Sequence, residues 1–174
     1  MKKLVFIFLA IVLALSLTLA LASLAAATDL TNVTDTVANP TAGATTTHNI
    51  SFTTATTGNI STINMTFPSG FNVSGAGLGA KSGIGAGNIS VDAQVVTYNV
   101  TTPGSTPNGT AIWVNLTSIV NTVTPGSSYN VTVTTKNETA VTIDGPTASA
   151  NFTIYPAATS LNVSGITDPV VAGT

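Results

Sequence analysis

The sequence predicts an all-β protein, an antiparallel β-sandwich, and three observations carry that prediction. From residue 28 onward apolar residues recur at every second position, the pattern of strands with one buried and one solvated face. The chain is rich in Thr, Ser, Asn, Gly, Val and Ile, which favour strands and turns over helices. Turn signals such as Pro103-Gly104, Asn108-Gly109 and Asp144-Gly145-Pro146 separate the alternating runs. Strands with a single apolar face can bury it only by packing one sheet on another.

The elements follow in chain order. Met1-Lys2-Lys3 is basic, residues 4–22 are almost wholly apolar, and Ala25-Ala26-Ala27 gives the small-x-small pattern that precedes cleavage before Thr28. Residues 1–27 therefore read as a signal-peptide helix. The competing expectation is an uncleaved signal anchor, because the run has the ~20 residues needed to span a bilayer. Both readings export the rest of the chain to the cell surface or beyond.

Residues 28–156 form the predicted sandwich domain. Its strands place Ile50 and Phe52 on one face, then Ile63, Met65 and Phe67, then Val96, Tyr98 and Val100, then Ile112, Val114 and Leu116. Tyr129, Val131 and Val133 continue the series, followed by Val141 and Ile143, and by Phe152 and Ile154. Residues 70–87 contain seven glycines and read as a long loop or a lid over one end. Residues 157–174 read as a linker and the first strand of a second repeat. There Val163 and the Asp168-Pro169 to Ala172-Gly173-Thr174 stretch echo Val33-Thr34-Asp35 and Asn39-Pro40-Thr41-Ala42-Gly43-Ala44. Residues 29–37 and 160–171 both read as strands able to complete a neighbour's sheet.

Charge is nearly absent. Beyond the leader the chain carries Lys81 and Lys136 against six acids, with no arginine and no cysteine. That balance excludes nucleic acid as a partner, since phosphate binding requires clustered cations. It also excludes disulfide scaffolds, thiol catalysis and Cys-ligated zinc.

Asparagine supplies the strongest motif. Asn32, Asn49, Asn59, Asn64, Asn72, Asn88, Asn99, Asn108, Asn115, Asn130, Asn137, Asn151 and Asn162 each open an Asn-x-Ser/Thr sequon, thirteen of the fifteen asparagines. Ser and Thr hold 45 of the 147 residues from Thr28 on, a density that by chance gives about five such triplets. Strand alternation also generates the triplet, because residues i and i+2 share a face. The sites read as loop positions, Asn72, Asn88, Asn108 and Asn137, escape that explanation, so the thirteen are read as N-glycan acceptors. No acid stands two positions before any of them, which excludes the extended bacterial acceptor; with no cysteine, an archaeal envelope is the setting that remains. A sugar coat would replace charge as the solubilising layer and shield strand edges.

Val37-Ala38-Asn39-Pro40-Thr41-Ala42-Gly43-Ala44, Ile50-Ser51-Phe52-Thr53-Thr54, Ile63-Asn64-Met65-Thr66-Phe67-Pro68-Ser69-Gly70-Phe71 and Pro125-Gly126-Ser127-Ser128-Tyr129-Asn130-Val131 resemble a repeat of prokaryotic surface proteins. In layout the chain is similar to archaeal S-layer and surface-filament glycoproteins. The resemblance covers most of residues 37–135 and implies an Ig-like sandwich. It implies a structural role and no catalytic residue.

Candidate chemical sites are few. Gly75-Ala76-Gly77-Leu78-Gly79-Ala80-Lys81-Ser82 departs from the phosphate-loop pattern at Ala80 and reads as a flexible glycine-rich loop. His48 is the only imidazole, has no nucleophile motif with it, and reads as an incidental strand-edge residue. Asp29, Asp35, Asp92, Asp144 and Asp168 lack EF-hand spacing and are a weak calcium set. Trp113 is turned outward by alternation and is the one candidate ligand contact, for a sugar ring or a partner's pocket.

The expectation is a structural, heavily N-glycosylated surface protein: an S-layer, stalk or filament subunit that is not an enzyme and takes no cofactor or metal. Its partners would be copies of itself or other envelope proteins, its covalent N-glycans and surface carbohydrate. Membrane contact would come only through an uncleaved leader or an anchor beyond this sequence. The alternative is an adhesin or carbohydrate-binding module using Trp113 and residues 70–87.

Overall fold

Alternation of one buried and one more exposed residue governs the central strands of the computed structural model, which describes residues 27–158. The described chain is all-β, with no helix among the described residues. Residues 1–26, nearly all of the segment expected to be a leader, and the 160–171 segment lie outside the described residues.

One four-stranded sheet has the order β1 (Thr31–Val37), β2 (Thr45–Thr53), β9 (Ala111–Val120), β5 (Gly77–Ser82). A five-stranded sheet has the order β12 (Thr142–Ala148), β11 (Thr132–Lys136), β4 (Thr62–Thr66), β7 (Val95–Val100), β6 (Gly87–Asp92). All pairings within both sheets are antiparallel. Two small ribbons complete the set: β3 (Gly58–Asn59) with β8 (Ser105–Thr106), and β10 (Gly126–Tyr129) with β13 (Phe152–Ile154).

The inward residues of the two sheets meet in a single hydrophobic cluster. Ile50, Phe52, Ile112, Val114 and Leu116 come from the first sheet, and Ile63, Met65, Val96, Tyr98 and Val133 from the second. This is the predicted sandwich-like arrangement, and each large apolar side chain removed from water contributes roughly 1.5–3 kcal/mol before entropy is charged against it.

Several segments differ from the sequence reading. Residues 70–87 are not one long loop: β5 runs through residues 77–82, β6 starts at Gly87, and Phe71 and Val73 of the turns before β5 are buried. The glycines fit a strand because β5 lies close over the outward side chains of β9. A Cβ at Gly77 would come 2.6 Å from Thr117 Oγ1. The predicted turn at Asp144-Gly145-Pro146 lies inside β12, where the register against β11 shifts on either side of Thr135. Val141, placed on the inner face by alternation, is exposed, because it lies before β12 and closes the turn that begins at Asn137. The single strand expected through Tyr129 and Val133 is two: β10 pairs with β13, and β11 with β4 and β12. Residues 31–37, read as a donatable strand, pair with β2 of the same chain and bury Val33.

Candidate functional site

Six of the sequon asparagines, Asn32, Asn49, Asn64, Asn88, Asn99 and Asn115, lie on outward positions of the two sheets, and six more lie in turns and short ribbons. None of the twelve described sequon asparagines is buried; Asn32, Asn59, Asn72, Asn88, Asn108 and Asn151 are exposed, and the other six half-buried. Asn162 lies outside the described residues. Asn88, expected in a loop, lies in β6 opposite Asn99 of β7, so it shares the strand origin of the other face sites.

Strand register sets these side chains against one another. Asn49 of β2 faces Asn115 of β9, and Asn49 Nδ2 donates to Asn115 Oδ1. Asn99 Nδ2 donates to Ser90 Oγ at 3.1 Å and lies 3.5 Å from Asn88 Oδ1. Thr97 Oγ1 donates to Asn64 Oδ1 at 3.3 Å. These polar ladders are the ordinary cross-strand pairs of a solvated sheet face.

Two turn sites are arranged differently. Asn72 Oδ1 accepts from both the N–H (3.0 Å) and the hydroxyl (2.7 Å) of Ser74, the third residue of its own sequon. Asn137 Oδ1 accepts in the same way from Thr139, at 3.0 and 2.9 Å, and also from Val141 N–H at 2.9 Å. In both, the carbonyl end of the amide is held by its own triplet. The Nδ2 end, where a glycan would be joined, makes no hydrogen bond among the described residues.

Trp113 stands on the outer face of β9, half-buried, with Ser51 of β2 and Ser82 of β5 as its register partners. Of residues 75–82, read against the phosphate-loop pattern, residues 77–82 form the extended strand β5, so their N–H groups do not curl into an anion cradle.

His48 is no strand-edge residue. It lies within β2, between β1 and β9, on the same face as Ile50 and Phe52, and is fully buried. Its Nδ1 is 2.8 Å from Asp35 Oδ2 and its Nε2 3.2 Å from Asn121 Oδ1. Asn121 Nδ2 donates to the carbonyls of Asn39 (2.8 Å) and Thr41 (2.9 Å), which fixes Oδ1 toward the ring and makes Nε2 the donor. Nδ1 and Asp35 Oδ2 then share one proton between them. The rings of Phe67, Phe71 and Phe152 meet the imidazole edge-on at 5.2–5.9 Å and exclude water. A dry, enclosed triad of this kind has no route to a substrate, so its chemistry is that of a folding contact. The signal was present in the sequence: His48 is two residues before Ile50, hence on the inner face.

The aspartates considered for calcium do not converge. Asp35 is held by His48, Asp144 is buried in β12, and Asp92 is exposed at the end of β6. Among the described residues no three His, Asp or Glu side chains lie close enough to hold a metal ion; Asp168 lies outside them.

No protein-family model matches the chain, and no curated protein is significantly similar to it.

Proposed function

We propose that this chain is a structural, N-glycosylated surface protein whose sandwich is of the Ig-like kind and whose copies assemble into an S-layer, stalk or filament. One observation carries the reading: none of the twelve described sequon asparagines is buried, and those on strands of the two sheets face outward, on a chain with almost no charge of its own. Water-facing sheet normally carries Lys and Glu. Here hydroxyls, amides and their glycans do that work. The main-chain ladders and the apolar interior supply mechanical strength.

Assembly by strand donation fits the open edges of β5 and β6, with residues 160–171 as the donor. Residues 29–37 are unsuited to that task, because β1 already completes its own sheet. Two measurements on the exported protein test the reading. Intact mass should exceed that of the bare polypeptide by several glycans, and electron microscopy should show regular assemblies that disappear when residues 160–171 are deleted. A bare mass sinks the coat; unchanged assemblies sink the donated strand.

Trp113 supports a second reading as a carbohydrate-binding module, through its half-buried, outward indole between two serines. Glycan-array binding lost in Trp113→Ala, with the fold retained, would favour that reading over the structural one.

A further inference from the structure

Asp144 is a buried carboxyl group without an ionic counterpart. It is 0% exposed, its Oδ1 has no hydrogen-bond partner, and its Oδ2 accepts only a long 3.3 Å bond from Ala55 N–H. Its own N–H is taken by Thr135 Oγ1 at 3.0 Å. The other buried carboxylate, Asp35, has His48; among the described residues no side-chain cation lies within ion-pair distance of Asp144. Burying a lone carboxylate is among the costliest things a fold can do.

What lies beside Asp144 is Thr28. The two form an isolated parallel bridge, with Gly145 N–H donating to Thr28 O at 2.7 Å. Leu30 N–H donates to Thr147 Oγ1 at 2.9 Å, and Ala150 N–H to Val33 O at 2.9 Å. Buried Leu30 anchors the stretch. Residues 28–33 are thereby pinned along residues 144–150. Paired strands lie about 4.8 Å apart, so the bridge sets the Thr28 backbone about one strand spacing from that of Asp144.

Thr28 is also the residue that the small-x-small pattern of Ala25-Ala26-Ala27 makes first in a processed chain. We propose that leader removal after Ala27 creates an α-ammonium at Thr28 that pairs with the buried carboxylate of Asp144, so that maturation completes the fold. A signal peptidase adds water across the bond from the Ala27 carbonyl carbon to the Thr28 nitrogen. The water oxygen stays on Ala27 as part of a carboxylate, and both water protons end on the nitrogen, which becomes –NH3+. The peptide N–H it replaces is neutral and has one proton to give; the ammonium has three and a charge. The inference rests on the export and processing in the proposed function and is independent of glycans and assembly.

The test expresses the full-length chain in an exporting host, as wild type and Asp144→Asn, each with and without one leucine inserted between Ala27 and Thr28. Mass spectrometry reads every N-terminus. The wild type should begin at Thr28. The inserted residue should raise its unfolding equilibrium constant by about a hundredfold, and that of Asp144→Asn by less than about threefold. On the wild type alone, an amine-selective reagent should label the Thr28 nitrogen at least about tenfold more slowly in the folded protein than in urea. A different N-terminus, equal penalties in the two backgrounds, or equal labelling rates overturns the pairing. A retained leader on a glycosylated protein overturns the pairing and leaves the surface-glycoprotein reading standing. A protected Thr28 on a sugar-free chain does the reverse.

Discussion

Asp35 Oδ2 lies 2.8 Å from His48 Nδ1, and neither side chain is open to solvent. The pair ties β1 to β2, and through Asn121 it reaches the Asn39 and Thr41 carbonyls that follow β1. One network thus holds the start of the domain against the end of β9. His48→Ala would leave the Asp35 carboxylate buried and unpaired, and should cost about 3–5 kcal/mol. Replacing both, as Asp35→Leu with His48→Phe, should cost clearly less than the two single changes summed, because no orphan charge is left behind. Urea denaturation of the four proteins measures this. Additive losses would show that the pair does not act as a unit.

Tyr98 gives the chain a base-sensitive point. Its ring is buried and its hydroxyl donates to the Gly85 carbonyl at 2.6 Å, and burial raises its pKa above the usual 10.0. Lys81 Nζ, 6.0 Å from the ring centroid, is the nearby cation. The folded chain holds the phenol proton more tightly than the unfolded one. Stability is therefore expected to fall as pH rises past 10.0 and to level once the raised folded value is passed. Tyr98→Phe should lose about 1 kcal/mol at neutral pH with the hydrogen bond, yet show a shallower decline between pH 9 and 11 in urea titrations. Parallel declines in the two proteins would refute the assignment.

How much of this was legible in the sequence depended on whether neighbours within a strand or across the fold decided a residue's place. Period two alone put Ile50, Phe52, Ile63, Met65, Val96, Tyr98, Ile112, Val114 and Leu116 inside, where they are. It also put Asn49, Asn64, Asn99 and Asn115 on the outer faces. The same rule placed His48 inward, but a polar residue reads as incidental until its partners are known. Asp35 is thirteen residues away and Asn121 seventy-three, and only the pairing of β1, β2 and β9 joins them. Composition misled at residues 70–87, where glycine reflects the close passage of β5 over Thr117. It misled again at Asp144-Gly145-Pro146, where turn residues mark an irregular strand.

Gly83 tests whether β5 is a fixed strand. Its φ is +76°, and a Cβ there would overlap the Ala111 carbonyl oxygen at the start of β9. Gly83→Ala combines a left-handed backbone penalty with that overlap, and should destabilise by more than about 2 kcal/mol. Gly104→Ala is the control, since nothing lies within 4 Å of a Cβ at that position. Its effect should stay within about 0.5 kcal/mol in thermal or urea melts. Similar small losses for the two would mean that residues 77–82 behave as the loose loop that composition implies.

Glycan occupancy should follow exposure and cross-strand geometry. Asn49 and Asn115 are directly opposed and joined amide to amide. Opposed side chains in antiparallel strands start about 5 Å apart at Cβ, too near for two oligosaccharides to leave the same spot. Glycopeptide mapping of the native protein should therefore find the exposed sites Asn32, Asn59, Asn72, Asn88, Asn108 and Asn151 modified. It should find at most one glycan on any molecule's Asn49 and Asn115 pair. Asn49→Gln should raise occupancy at Asn115, because the competing site is gone and the Asn115 amide is released. Peptides carrying sugar at both positions of a single molecule would show that transfer precedes strand pairing and that the folded sheet does not select the sites.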